Sequence, residues 1–414
     1  MRILHTADWH LNHRLGRVSL KEDLEAAVRK IAGLLDEHQV DVLLIAGDLF
    51  KGGETREQLA ASTKFLSETF TPFLKRGGTV LAISGNHDSE PFFETLRDAS
   101  GLFDRAEVDN DIHPAGRFYL APNPRVVTLR DKSGSVVQFV LMPYPTQRAY
   151  LLGEKLEQYS SIEERNRLML ETYRHRFKRL EETRVKATLP AVLVAHAQVR
   201  GISDSELFQA SDQHDVILDS VDLPDHFVYS AYGHIHKHQP VVAGSKHQLY
   251  SGSLMPLDAG ESGQEKGVYL FEVQGKARVG DPTWLPLGGP ALHVLTIAPE
   301  EIEGLEEHFP DAKSSVFKYI LKYDPQVFPD PFILHQKIRV IFPRWYFGEE
   351  ERIGNETTPD ATELAPARSG DEMATILEYL KGVATYPSEE DKRDVITLAE
   401  QLLTDETLTA QWKG

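Results

Sequence analysis

The 414-residue chain carries 45 Lys and Arg against 63 Asp and Glu, a net charge of −18, and contains no cysteine. Its length allows two or three domains of roughly 100 to 200 residues. The missing thiols exclude disulfides, cysteine nucleophiles, zinc fingers and iron–sulfur clusters, fit a reducing cytoplasm, and leave any metal to nitrogen and oxygen ligands. The acidity taken alone argues against a polyanionic substrate, but divalent cations bound in a site reverse the field where it matters. No apolar run reaches the ~18 residues that span a bilayer, so no membrane contact is expected and the protein reads as soluble and cytoplasmic.

In chain order, residues 3–83 alternate short apolar runs ("RILHTAD", "VDVLLIAGD", "GTVLAISGNHD") with helical spacing, first through Leu24, Val28, Ile31 and Leu35, then over residues 56–74. This β-α-β-α-β order predicts an α/β layer with buried strands. "RVVTLRDKSGSVVQFVLMPY" predicts two strands around a turn at residues 131–134. Residues 155–186 read as a helix ending in a basic run, Arg174 to Lys186, which serves either as a solvated face or as a phosphate contact. "PAVLVAH", "HFVYSAYGHIHKH", "HQLYSGS" and "GVYLFEV" return to strand character up to about Val273.

From about Pro286 the chain becomes dense in aromatics and prolines, which suggests a small α+β module whose aromatics form a core. Residues 348–371 lack apolar periodicity and read as a flexible linker. Two short amphipathic stripes follow, one through Met373, Ile376, Leu377 and Leu380, the other through Val395, Leu398, Leu402 and Leu403, with Ser388 as an N-cap. Such helices dock back on the body or bind a partner in a groove.

Five segments place Asp, His and Asn after apolar strands: "ADWH" (Asp8, His10), "AGDLF" (Asp48), "SGNHDS" (Asn86, His87, Asp88), "VAH" (His196) and "GHIH" (His234, His236). Ligands of open α/β sheets gather outside the carboxyl ends of strands. One such segment is usually a turn or a hydrogen-bonded structural histidine; five in succession are hard to attribute to chance. Asp8 and His10, two apart, project to one side of an extended chain and can grip one cation. His234 and His236 can do likewise or split between two. Seven ligand residues exceed one tetrahedral ion and suit a pair bridged by Asp48, and mixed nitrogen and oxygen ligation favours Mn2+ or Fe2+ over structural zinc. Paired metals roughly 3.5 to 4 Å apart point to phosphoester hydrolysis. His87, with its ring oriented by Asp88, is then the proton donor to the leaving oxygen.

The ordered set DxH, GD, GNHD, H and GHxH resembles the signature of the calcineurin-like metallophosphoesterases. "ILHTADWHL", "ISGNHDS", "YGHIHK" and "YSGSLMPLDAGESGQEKGVYLFEV" resemble more closely the SbcD family of double-strand-break-repair nucleases, which work with the SMC-like ATPase SbcC. The resemblance is firm over about residues 1–275 and loose beyond. It implies an α/β fold with a two-sheet metallophosphoesterase core flanked by helices, a small α+β capping domain and a C-terminal helical pair. The implied domains are a nuclease domain at 1–280, a cap at 286–347, the linker at 348–371, and helices at 372–410 that bind the ATPase coiled coil. It implies two Mn2+ ions, ahead of Fe2+ or Mg2+. Asp8, His10, Asp48 and His236 would hold one ion, and Asp48, Asn86, His196 and His234 the other. DNA is the implied substrate, attacked exonucleolytically with endonucleolytic cleavage as a second mode. The implied assembly is a homodimer with the ATPase, nucleoid-associated when on DNA. Where the wider superfamily often has GDxxD this chain has Lys51, a position that is not a ligand in SbcD-like proteins. His238 falls beyond GHxH and reads as a bystander. The competing function is a dimetal phosphatase or phosphodiesterase acting on a small molecule or protein, which suits the acidic charge.

Overall fold

Alternation of short apolar runs with amphipathic helices builds the first half. The chain runs β1 (Arg2–Thr6), the hairpin β2 (Arg14–Leu15) and β3 (Val18–Ser19), α1 (Lys21–Glu37), β4 (Val42–Ala46), α2 (Arg56–Lys75), β5 (Thr79–Ile83), α3 (Glu90–Leu102) and β6 (Phe118–Ala121). The computed structural model describes residues 1–102, 112–151, 161–202 and 215–353, with 392, 393 and 397. Helix α2 begins where Thr55 and Gln58 form a capping box, each side chain bonding the other's backbone N–H.

There follow β7 (Arg125–Arg130), β8 (Val136–Met142), α4 (Gln147–Tyr150), α5 (Ile162–Arg184), β9 (Ala191–His196), the short pair β10 (Gln198–Val199) and β11 (Ile217–Leu218), β12 (Tyr229–Gly233), β13 (Gln239–Pro240), β14 (Gln248–Tyr250), β15 (Gly267–Gln274) and β16 (Ala277–Pro286). One sheet has the order β16-β15-β1-β4-β5-β6 and the other β13-β14-β12-β9-β8-β7. Strands β1, β4, β5 and β6 run parallel, as do β8, β9, β12 and β14.

The sheets stack face to face through Ile3, Leu44, Leu81, Phe139, Val192, Tyr229 and Phe271. Helices α1 and α2 cover the outer face of the first sheet with Leu24, Val28, Ile31, Phe70 and Phe73, while Tyr150 and Tyr173 cover the second. Both faces of each sheet are thus buried, which is why the central strands read as unbroken apolar runs. This is the expected two-sheet α/β core flanked by helices. His5 pins the sheets together from inside, its Nδ1 2.9 Å from the Tyr229 hydroxyl and its Nε2 3.2 Å from the Tyr232 carbonyl.

A further core of Phe317, Tyr319, Leu321, Ile338 and Phe342 is built by β17 (Leu292–Ile297), α6 (Leu305–His308), β18 (Val316–Tyr323), α7 (Phe332–Ile341) and β19 (Trp345–Arg352), with sheet order β17-β18-β19. Arg344 joins this part to Asp23 of α1, and Arg17 lies 4.7 Å over the Trp345 ring.

Two boundaries differ from expectation. The first domain does not stop at 280, because β16 continues to Pro286; its largely exposed side chains, with Gly280 and Pro282, disguise an edge strand. The linker does not open at 348, because 348–352 complete β19. Its acids are strand partners, with Glu349 3.8 Å from Lys318, Glu351 2.5 Å from Lys322, and Glu350 accepting from the Tyr323 hydroxyl at 2.9 Å. The rest of that linker and the helical pair, including Ser388, lie outside the described residues but for 392, 393 and 397. No helix among the described residues is long and apolar enough to cross a membrane.

Candidate metal centre

Every residue of the five motifs lies at the carboxyl end of β1, β4, β5, β9 or β12, where the C-terminal edges of the two sheets meet. The chain reaches this edge by bending sharply. Asp8, His10, Asp48 and His234 have φ of 53°, 43°, 51° and 101°, the left-handed region that side chains other than glycine's disfavour. Backbone bonds from Asp8 N to Gly47 O (3.1 Å) and His10 N to Asp48 O (3.0 Å) hold the bends. The extended geometry expected for Asp8 and His10 is therefore corrected: a curled loop turns both inward. Strain of this kind collects at functional sites.

Two motif glycines make room for ligands. A Cβ on Gly85 would stand 2.1 Å from Asp48 Oδ1, and one on Gly47, whose φ is +93°, would stand 2.1 Å from His196 Nδ1. Glycine precedes Asp48 and Asn86 because His196 and Asp48 respectively occupy the space a side chain would need.

Asp48 sits at the middle, with its Oδ2 3.4 Å from His10 Nε2 and 3.5 Å from His196 Nε2. His10 Nε2 also faces His236 Nε2 at 3.2 Å. On the other side Asn86 Oδ1 lies 3.0 Å from both His196 Nε2 and His234 Nδ1. Asp8 accepts the backbone N–H of His234 at 3.0 Å. Three overlapping groups, Asp8 with His10 and His236, His10 with Asp48 and His87, and Asp8 with Asp48 and His196, have ligand atoms within 4.8 Å of one another.

These contacts fit divalent cations. His196 Nδ1 is 2.7 Å from the Ala46 carbonyl and must donate to it, so in the neutral ring the Nε2 lone pair faces the Asn86 oxygen, acceptor against acceptor. Positive charge is favoured at this spot: burial alone would lower His196, yet Asp48 and Asp8 raise it to about 9. Burial raises Asp8, whereas at Asp48 the charges of His196 and His10 overcome burial and hold the carboxylate below its ordinary range. Burial, partly opposed by Asp48, keeps His10 neutral, the form in which imidazole binds a metal.

His87 stands exposed at the mouth, its ring 4.8 Å from that of His10. Its Nδ1 lies 3.0 Å from the Lys51 carbonyl, and its backbone N–H donates to Asp48 Oδ1 at 2.9 Å. Asp88 was expected to orient this ring and does not. Its carboxylate accepts the N–H groups of Gly85 (2.9 Å), Phe50 (2.8 Å) and Leu49 (3.2 Å), bracing the Asp48 and Asn86 loops against each other. Burial, with Asp48 adding, raises Asp88 to about 7.

Sequence reasoning missed Asp215, Tyr144, Glu261 and Lys266. Asp215 Oδ2 lies 2.6 Å from His234 Nε2, and Glu261 Oε1 lies 2.8 Å from His236 Nδ1. Lys266 and Glu261 form a buried ion pair at 2.5 Å. "GESGQEK" held two of them in plain view, but nothing local says which histidine they meet. His238 stacks on Trp284 with ring centroids 4.1 Å apart and belongs to none of the metal-ligand groups found among the described residues. Of the basic run, Arg174 is taken up by Asp222 (2.6 Å) and Asp219 (3.4 Å), and Arg176 donates to the Tyr150 carbonyl at 2.9 Å. These partners favour a structural over a phosphate-binding role for both.

The family model for Calcineurin-like phosphoesterase matches residues 1–238, and the SbcD component of the nuclease SbcCD from Rhodobacter capsulatus is 30% identical over 315 residues, 70% of each chain. This chain belongs to the calcineurin-like phosphoesterase family, in its SbcD branch. The corresponding SbcCD component of Escherichia coli is 27% identical over 279 residues, 65% of this chain and 64% of that one. Thus this SbcD-family chain spans slightly under two thirds of the Escherichia coli relative. That of Bacillus subtilis is 26% identical over 66% of each chain.

Proposed function

We propose that this chain is a divalent-metal-dependent DNA nuclease, using two Mn2+ ions ahead of Fe2+ or Mg2+, with exonucleolytic and a second, endonucleolytic mode. In this reading Asp8, His10, Asp48 and His236 hold one ion, and Asp48, Asn86, His196 and His234 the other. The observation that carries it is the position of Asp48, whose one oxygen faces a histidine of each set at 3.4 and 3.5 Å. The relatives' names supply the nucleic-acid half of the reading, as nucleases and as one component of an SbcCD complex. By the same analogy the chain works as a homodimer with an SbcC-like SMC-family ATPase, contacted through helices at 372–410.

Bound divalent ions supply Lewis-acid polarisation of a phosphoryl oxygen and a nucleophile at neutral pH. The chain's own residues do the rest. Asp88 locks the loops that present Asp48 and Asn86. His87, with the Nδ1 proton held by the Lys51 carbonyl, turns Nε2 to the mouth and passes a proton from it to the leaving oxygen. Partial burial lowers the pKa of His87, which makes its protonated form the stronger acid.

The test incubates the protein and MnCl2 with end-labelled duplex and single-stranded DNA beside a chromogenic phosphodiester. Shortened DNA is expected. Hydrolysis of the small diester with DNA left intact, ATPase partner included, would sink the nuclease reading in favour of the dimetal phosphatase or phosphodiesterase acting on a small molecule or protein, which the net charge of −18 suits. His87→Asn should abolish turnover while metal remains bound; metal loss in this variant contradicts the donor role.

A further inference from the structure

We propose that Glu261 and Asp215 are positioning residues that hold His236 and His234 in opposite tautomers, so that two histidines two residues apart each serve a different ion. The proposal rests on the two-metal reading above and adds what allocates the ligands.

A carboxylate only accepts hydrogen bonds, so in a neutral imidazole the nitrogen facing it carries the proton and the other keeps its lone pair. Glu261 Oε1 faces His236 Nδ1 at 2.8 Å, leaving the Nε2 lone pair directed at the His10 side. Asp215 Oδ2 faces His234 Nε2 at 2.6 Å, leaving the Nδ1 lone pair directed at Asn86. Adjacent rings thus present opposite nitrogens to opposite halves of the site.

Each carboxylate is itself held. Asp215 Oδ1 accepts from the Tyr144 hydroxyl (2.5 Å) and the Val216 N–H (2.7 Å), and the Tyr144 ring stacks on His234 with centroids 5.9 Å apart. Glu261 Oε2 accepts from Lys266 Nζ (2.5 Å) and the Ser253 hydroxyl (3.1 Å). Lys266 spends its other two protons on the His236 carbonyl (2.8 Å) and Gln264 Oε1 (3.0 Å), gripping the backbone of the histidine whose ring Glu261 orients. Both side chains of this pair are 3% exposed. A buried ion pair of this kind is often no more stabilising than an apolar pair of like volume, so its placement on a ligand histidine points to orientation rather than to folding.

The test uses full-length protein labelled with 15N-histidine. In the metal-free protein, long-range 1H–15N spectra should show His236 protonated at Nδ1 and His234 at Nε2. Glu261→Gln and Asp215→Asn each offer an amide that can donate to the ring, which allows the other tautomer. Each should bind one Mn2+ normally and the second about 10- to 100-fold more weakly, with loss of the exchange-coupled Mn2+ EPR signal at concentrations that saturate the unaltered protein. Should Glu261→Gln fail to fold, the double variant Glu261→Gln/Lys266→Met, which removes both buried charges, takes its place. Two ions bound with unchanged affinity and unchanged tautomers in the variants would overturn the proposal. An unaltered protein that binds fewer than two ions would overturn the two-metal reading instead.

Discussion

Replacing Gly85 with alanine adds one methyl group at a crowded point of the site. Its Cβ would stand 2.1 Å from Asp48 Oδ1 and 2.5 Å from the Asp48 backbone nitrogen. Real Cβ contacts do not fall below 3.0 Å, so Asp48 or the loop must move by about 1 Å (3.0 minus 2.1). The loop cannot withdraw freely, because Gly85 N–H is tied to Asp88 Oδ2 at 2.9 Å and Asp88 is tied to Leu49 and Phe50 beside Asp48. Overpacking of this kind costs about 1 to 3 kcal/mol, and a 1 Å misplacement of a reacting group costs about 10²-fold in rate. Gly85→Ala should therefore stay folded with a lowered thermal midpoint, bind Mn2+ at least tenfold more weakly by titration calorimetry, and hydrolyse a chromogenic diester about 10²-fold more slowly. Binding of two ions with unaltered affinity and full turnover would refute the argument that this glycine exists to admit Asp48.

Burial drives the imidazole of His5 from 6.5 down to about 3. The unfolded chain then binds more protons between those values, so this group withdraws stability as pH falls below about 6.5 and has no effect above it. As pH is lowered from 6.5, the unfolding free energy from urea titrations should fall by up to about 1.4 kcal/mol per unit more steeply in the unaltered protein than in His5→Gln; parallel slopes would remove His5 as the cause. His238→Ala should leave Mn2+ binding untouched while losing the Trp284 stack, about 0.5 to 1.5 kcal/mol; weaker metal binding would return His238 to the site. Arg344→Met removes the partly buried pair with Asp23 and should cost roughly 1 to 2 kcal/mol. Faster amide exchange in β18 and β19 is the expected readout, and unchanged exchange would deny the pair an anchoring role.

Much of the site was legible because its chemistry is written locally. Asp8, His10, Asp48, Asn86, His196, His234 and His236 each follow an apolar strand within a few residues, and parallel strands align their carboxyl ends. Strand run and ligand are neighbours in the chain, so pattern alone located both. The edge strands β16 and β19 were not legible, since exposed edges need no apolar alternation and their charges find partners across the sheet.

What sequence alone determined, then, is a candidate set of metal-binding residues and that an α/β layer presents them. The tertiary structure decided which of them meet and what braces them. Asp215 and Glu261 lie 19 and 25 residues from the histidines they touch, and Asp88 turned from its expected neighbour His87 to a loop 38 residues away. Hydrogen-bond direction depends on where a partner sits in space, and a lone acid carries no mark of that partner in the sequence around it.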